Sequence, residues 1–176
     1  INQIKDSLLA GQPIVQIVSF EEKRIENLLK KLCQQTLKNP NTYTWESHNG
    51  LSRNESRVPD SMEPGQALDL ALAAKEPAFF IFKDLNSRLR YASGLTRKIR
   101  ECYLQFKNSK KFLLLLSPDE YLPASLKKEI DIIHFDLPDY EELENLCSKF
   151  LESMEKAGIQ VQLTEEEKRN YVTAVQ

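Results

Sequence analysis

The chain has little of what most catalytic and metal sites are built from. Its 176 residues include two histidines, three cysteines, five glycines and one tryptophan. The cysteines, Cys33, Cys102 and Cys147, are far apart, with no C-x-x-C pair, and their odd number argues against a disulfide framework. With only two histidines beside them they do not make a zinc site either; they read as small buried residues of a reducing compartment. No apolar run reaches the roughly 18–20 residues of a membrane span, and the longest, Lys111 to Ser117, has strand length. Neither charge sign dominates, since 24 basic and 26 acidic side chains leave −2. That balance speaks against nucleic acid as the main ligand and leaves room only for a local basic patch. The five glycines never fall in the spacing G-x-x-x-x-G-K-[ST], so no phosphate loop is present. The first residue is Ile1 rather than methionine, so the chain reads as a fragment, which leaves open a removed targeting segment.

What is there is an alternation of apolar strands and amphipathic helices. At 41% hydrophobic and 28% charged residues the composition is that of a globular domain. A short helix over 1–9, closed by Gly11 and Pro13, precedes a first strand from Pro13 to Ser19. Ser19 and Glu22 have the capping-box spacing for a helix through Leu37, with Ile25, Leu28, Leu29 and Leu32 on one face. A second strand, Thr42 to Glu46, carries Trp45 into the core, and the polar stretch from His48 to Ser61 reads as a loop. A helix over 66–75 leads to a third strand, Ala78 to Asp84. After a helix over 95–107 come a fourth strand at 112–117 and a fifth at 131–135. Beyond Pro138 only helices follow: one to Ala157, capped by Asp139 and Glu142 and ended by Gly158, and a last one capped at Thr164 to Glu167 and running to Gln176. Nearly continuous apolar strands between helices predict a parallel sheet covered on both faces.

In such a sheet chemistry collects at the carboxyl ends of the strands. Those ends are Ser19-Phe20-Glu21-Glu22, Glu46-Ser47-His48, Lys83-Asp84 and Ser117-Pro118-Asp119. Two carboxylates, Glu21 and Glu22, stand where a phosphate loop would supply positive potential. Apolar residues ending near Asp84 have the form of a Walker B strand, which would hold Mg²⁺ beside phosphates. Lys83 interrupts that form, however, and Leu85 replaces the glutamate that would follow; the bland role for Asp84 is to cap the next turn. Ser117, His134 and Asp136 make a nucleophile set only on paper, because no G-x-S-x-G elbow exposes the serine. The one basic, partly aromatic segment holds Arg88, Arg90, Tyr91, Arg97, Lys98 and Arg100. A solvated helix face is its plain reading, and an anion, RNA or an acidic partner its functional one.

Two stretches carry a resemblance. The run from Ser125 to Leu143, with Leu126-Lys127-Lys128, a strand, and then Leu137-Pro138-Asp139, resembles the final strand and lid entry of AAA-type ATPases. Pro13 to Glu22, Phe79 to Asp84 and Lys111 to Pro118 resemble the amino-terminal half of the AAA-type ATPase family encoded in cyanobacteria and red-lineage plastids. Proteins of that family look like two AAA modules in tandem, the first without a phosphate loop. Lys128 here takes a place often held by arginine. None of the family's ATP-site residues has a counterpart.

The resemblance implies an α/β fold: a five-stranded, mostly parallel sheet in order 5-1-4-3-2 with helices on both faces. Residues 1–137 would be the degenerate core and 138–176 the start of a helical lid. It implies a non-catalytic module serving assembly, regulation or partner binding, with ATP and Mg²⁺ used elsewhere in the parent ATPase, beyond Gln176. No residue of this segment is assigned to catalysis, cofactor or metal. The expected partners are proteins, including copies of the parent in a homo-oligomer, with Arg88, Arg90, Arg97 and Arg100 as candidate anchors. The expected compartment is the cytoplasm, or the plastid stroma for a plastid-encoded protein. Two rival readings remain: a divergent nucleotide-binding enzyme using Asp84 and Ser117, and a nucleic-acid module using Arg88 to Arg100. Glu21 and Glu22 speak against the first and net charge against the second.

Overall fold

A computed structural model describes residues 2–37, 41–54, 56–138, 140–159 and 163–175. The chain divides into two compact units, 1–135 and 136–176. The first is built on strands β1 (Ile14–Val18), β2 (Asn41–Glu46), β3 (Gly50–Arg53), β4 (Ser56–Arg57), β5 (Ala78–Lys83), β6 (Lys111–Ser117) and β7 (Asp131–His134). Its helices are α1 (Asn2–Leu9), α2 (Glu22–Thr36), α3 (Pro64–Ala73), α4 (Leu85–Leu89) and α5 (Ser93–Phe106), with a 3-10 turn at Ala124–Leu126.

The strands form one sheet in the order β4-β3-β2-β5-β6-β1-β7. It has seven strands rather than the expected five, so the complete order differs from the expectation. β1, β2, β5, β6 and β7 are mutually parallel, and β3 and β4 are antiparallel additions beyond β2. Both additions lie in the stretch from His48 to Ser61 that its polarity marks as a loop. Composition misleads there because, among the described residues, only Leu51 is buried in the core, and hydrogen bonds do much of the organising. The Ser61 hydroxyl donates to the Val58 carbonyl at 2.6 Å and accepts from Leu51 N–H at 2.9 Å, while Trp45 Nε1 donates to the Ser61 carbonyl at 3.1 Å. Gly50 has φ +74°, and a Cβ there would lie 3.0 Å from the Ser61 carbonyl oxygen, so only glycine fits the start of β3.

Side chains alternate across the pleat, and both sets are apolar in the central strands. Ile14, Phe80, Phe82, Leu113 and Leu115 face α3 and α5, whose Ala67, Leu68, Ala71, Ile99, Cys102 and Phe106 complete one core. Val15, Ile17, Phe79, Ile81, Leu114 and Leu116 face α1 and α2 and meet Ile4, Leu8, Ile25, Leu29, Leu32 and Cys33. Trp45 is fully buried, stacked on Phe82 at 5.5 Å between ring centroids. Each large side chain so buried contributes roughly 1.5–3 kcal/mol, which explains why the sheet persists whatever happens at its ends.

Helix starts differ in detail from expectation. α2 does not use the Ser19–Glu22 box: Glu21 is its N-cap and makes no side-chain cap bond, while Ser19 Oγ accepts Glu21 N–H at 3.1 Å. Ser19 still belongs to the extended chain, its N–H bound to the Ser117 carbonyl at 3.1 Å, so the helix begins too late for the box to close.

The second unit consists of α6 (Tyr140–Lys156) packed on α7 (Glu165–Val175). The expected Asp139 cap lies outside the described residues. Gly158 at φ +79° ends α6: its N–H reaches the Glu155 carbonyl at 2.9 Å, and Ile159 N–H reaches Met154 at 3.0 Å. At α7 the box does close. Glu167 N–H donates to Thr164 Oγ1 at 3.2 Å, and the Thr164 N–H and hydroxyl both donate to Glu167 Oε2 at 2.9 Å, which holds the Glu167 carboxyl below its usual range.

Candidate functional site at the carboxyl end of the sheet

β1, β5 and β6 end side by side. The chain leaves β1 through Ser19 and Phe20 and enters α2 at Glu22, with no loop long enough to wrap a phosphate. Phe20 is 83% exposed. β5 runs out through Lys83 to Asp84, whose N–H still bonds the Leu116 carbonyl at 2.9 Å. Asp84 sits at φ +54°, a conformation that asparagine and aspartate tolerate better than other side chains, and it forms the N-cap residue of α4. A cavity of about 170 Å³ remains between Ser19, Phe20, Glu22, Asp84, Ser117 and Pro118. Small-molecule sites are roughly 300–1,000 Å³, and this cavity is smaller.

The charges around this cavity are arranged among themselves. Lys83, 8% exposed, points to the α2 side of the sheet, where its ammonium meets Glu22 Oε1 at 2.9 Å, Glu26 Oε1 at 2.5 Å and Glu46 Oε1 at 2.5 Å. Burial alone would lower its pKa, but the hydrogen bonds it donates to Glu26, Glu46 and Glu22 outweigh burial and raise it above the ordinary lysine value. The Asp84 carboxyl is raised by burial, then by the neighbouring charges of Glu22 and Asp119, with Lys83 opposing. Burial is the first of these causes, and the added push from Glu22 and Asp119 reflects the carboxylates gathered at this end. At the amino end of α2 the favourable place for an anion is already held by Glu21, paired with Arg24, and Glu22.

Glu26 is absent from the sequence-level set of site residues. Its signal was legible: Glu22 and Glu26 are spaced i, i+4 on one helix face. Glu46 follows Trp45, the partner of Phe82, just as Lys83 follows Phe82. The carboxylates of Glu22, Glu26 and Glu46 lie within 4.8 Å of one another; an ammonium, not open space, stands among them.

The remaining candidates fall apart geometrically. Ser117 and His134 flank Val18 on opposite sides of β1, two strand spacings or about 10 Å apart. Ser117 Oγ accepts Asp119 N–H at 3.2 Å, and His134 Nε2 lies 2.9 Å from Glu120. The four arginines meet four different partners. Arg88 lies 3.9 Å from Glu63 and over the Trp45 ring at 5.8 Å, and Arg90 over the Tyr121 ring at 4.6 Å. Arg97 Nε donates to Glu101 at 3.2 Å. Arg100 Nε donates to both Glu129 oxygens at 2.9 and 3.1 Å and its Nη2 donates to the Ser125 carbonyl. Arg100 therefore ties α5 to the segment leading into β7.

Comparison with known proteins agrees with this architecture. Residues 1–135 match the family model of the SpoVK-like AAA ATPase, N-terminal domain. The chain is 29% identical over 150 residues to the AAA domain-containing protein ycf46 of Trieres chinensis, covering 84% of this chain and 30% of that protein. Its counterpart in Guillardia theta is 27% identical over 157 residues, with 88% and 31% covered. That of Gracilaria tenuistipitata is 26% identical over 145 residues, with 81% and 29% covered. The chain thus spans about three-tenths of the length of these relatives.

Proposed function

Since the chain belongs to the family of SpoVK-like AAA ATPase N-terminal domains, we propose that it is a non-catalytic module of a longer ATPase, acting in assembly, regulation or partner binding. ATP and Mg²⁺ serve the parent protein elsewhere. The observation that carries this reading is the ion cluster at the carboxyl end of β5. Lys83, at the end of β5, is held by three glutamates, and the neighbouring cavity is lined by Glu22 and Asp84. A triphosphate arriving there would meet carboxylates with no backbone cradle to receive it. The apolar sheet remains, so the module keeps a rigid body and two covered faces with which to position a partner.

Homo-oligomers of the parent, and a location in cytoplasm or plastid stroma, belong to the same proposal. Among the described residues no helix is long and apolar enough to cross a membrane. The full-length ATPase provides the test. Asp84→Asn keeps the size and the tolerance for positive φ while removing the only carboxylate of Walker B form. Turnover should stay within tenfold of the parent, which is about 1.4 kcal/mol in barrier. A larger fall in a protein that still folds would make Asp84 a working metal ligand and overturn the reading.

A further inference from the structure

The terminal strand β7 is bonded on one side only. It pairs with β1 in register Val15↔Asp131 to Val18↔His134 and has no other strand neighbour. Phe135 N–H donates to the Val18 carbonyl at 2.9 Å. In a parallel ladder bonding alternates along each strand, so Ile133 and Phe135 face β1 while the N–H and C=O of Ile132 and His134 point to the open side. Among the described residues no other backbone group meets them. Proteins usually blunt such an edge. This edge is short and carries exposed Asp131 and His134, and it opens into a groove of about 1110 Å³, walled by α1 on one side and by Glu120, Tyr121 and Leu122 on the other.

The groove has a charge. Asp6, Glu120 and Asp131 line it against Lys127. The Asp131 carboxylate is fixed in place, accepting the Ser7 hydroxyl and Gln12 Nε2, the latter at 3.3 Å. Tyr121, Leu122 and Ile132 supply apolar floor between the charges. We propose that the open edge of β7 receives an extended basic segment of a partner protein by strand addition. Main-chain bonds to Ile132 and His134 would hold its backbone, and Asp6 and Asp131, on the α1 wall, would hold alternate lysines or arginines, which share one face of a strand. A second copy of this chain is the wrong occupant, because edge-to-edge pairing would bring these carboxylates face to face. The inference rests on the partner-binding reading above and names the surface and the chemistry of the partner.

The test is fluorescence anisotropy of the 176-residue chain with a dye-labelled peptide of alternating lysine and valine, six residues long. Saturable binding is expected. It should weaken at least tenfold for the matching peptide with glutamate in place of lysine, and for the lysine peptide N-methylated at alternate residues. Asp6→Lys with Glu120→Lys, both exposed, should also weaken it at least tenfold. His134→Pro removes an N–H that bonds nothing in the sheet, and should fold and lose binding. The methylated peptide decides the matter even if that variant does not fold. No binding, equal binding of the acidic peptide, or equal binding of the methylated peptide would overturn strand addition by a basic segment. Failure of the lysine peptide in a chain that also ignores Mg-ATP removes this inference alone; binding of Mg-ATP removes the reading it rests on.

Discussion

The sheet buries two lysines, one at each end, and treats them in opposite ways. Lys83 closes the carboxyl end of β5 and lies among three carboxylates. Lys111 opens the amino end of β6, 7% exposed, and donates to the carbonyls of Ala71 at 3.0 Å, Leu72 at 2.8 Å and Ala74 at 3.0 Å, with the Phe106 ring 4.6 Å away. Those carbonyls are the free end of α3, so Lys111 caps a helix that its own terminus would leave unsatisfied. Its pKa is lowered by burial, whereas that of Lys83 is raised. At the structural end of the sheet a cation serves neutral dipoles. At the carboxyl end, where open parallel sheets collect ligands, a cation is matched by an excess of acid. The second arrangement is the basis of the proposal that this module takes no nucleotide.

The comparison breaks most visibly on removing Lys83. Lys83→Met strands three carboxylates within 4.8 Å of one another and should cost about 2–3 kcal/mol of unfolding free energy. That is below the roughly 3–5 kcal/mol of a fully buried pair, because the glutamates are partly solvated. Adding Glu26→Gln and Glu46→Gln should restore much of the loss. Urea unfolding of the two variants checks this, and equal instability of both would show that the methionine itself packs badly.

Lys111→Met should cost less, about 1–2 kcal/mol, because it removes bonds to neutral carbonyls and leaves no charge behind. The loss should concentrate at the end of α3, seen as faster amide exchange around Ala74 and unchanged exchange in α2.

A smaller effect separates the two lysines by pH. A lysine lowered in the folded state binds fewer protons there than when unfolded, so stability rises with pH from its folded value to about 10.5. A lysine raised in the folded state adds stability that is complete below about 10.5 and falls as pH climbs beyond it. Each slope is at most about 1.4 kcal/mol per pH unit for one proton. Against wild type, Lys111→Met should lose the rise below pH 10.5 and Lys83→Met the fall above it. The same slope in both variants would mean that the two sites do not differ as described.

Much of this arrangement could be read from the residues. Phe79 to Phe82 is apolar at every position, which requires helices on both faces, and both are there. The short passage from β1 into α2 was legible too, because Glu21 and Glu22 follow the strand closely. What could not be read depends on contacts distant in sequence. β3 and β4 rest on backbone pairing, one serine hydroxyl and a single buried leucine, Leu51, rather than on an alternating apolar pattern. Arg90 and Arg100 look like a basic surface in sequence, yet they meet Tyr121 and Glu129 across the fold. Ser19 and Glu22 have the spacing of a capping box, but the strand keeps Ser19, and at Thr164, where no strand competes, the same spacing closes.

The most direct test of the central claim is a calorimetric titration of the 176-residue chain with Mg-ATP. A phosphate loop contributes several charge-assisted bonds of roughly 1.5–3 kcal/mol each, and here carboxylates occupy their place. The account predicts no saturable heat at millimolar nucleotide, for wild type and for Asp84→Asn alike. A dissociation constant of about 100 μM or tighter, on the scale where 1 μM is about −8.2 kcal/mol, would contradict it.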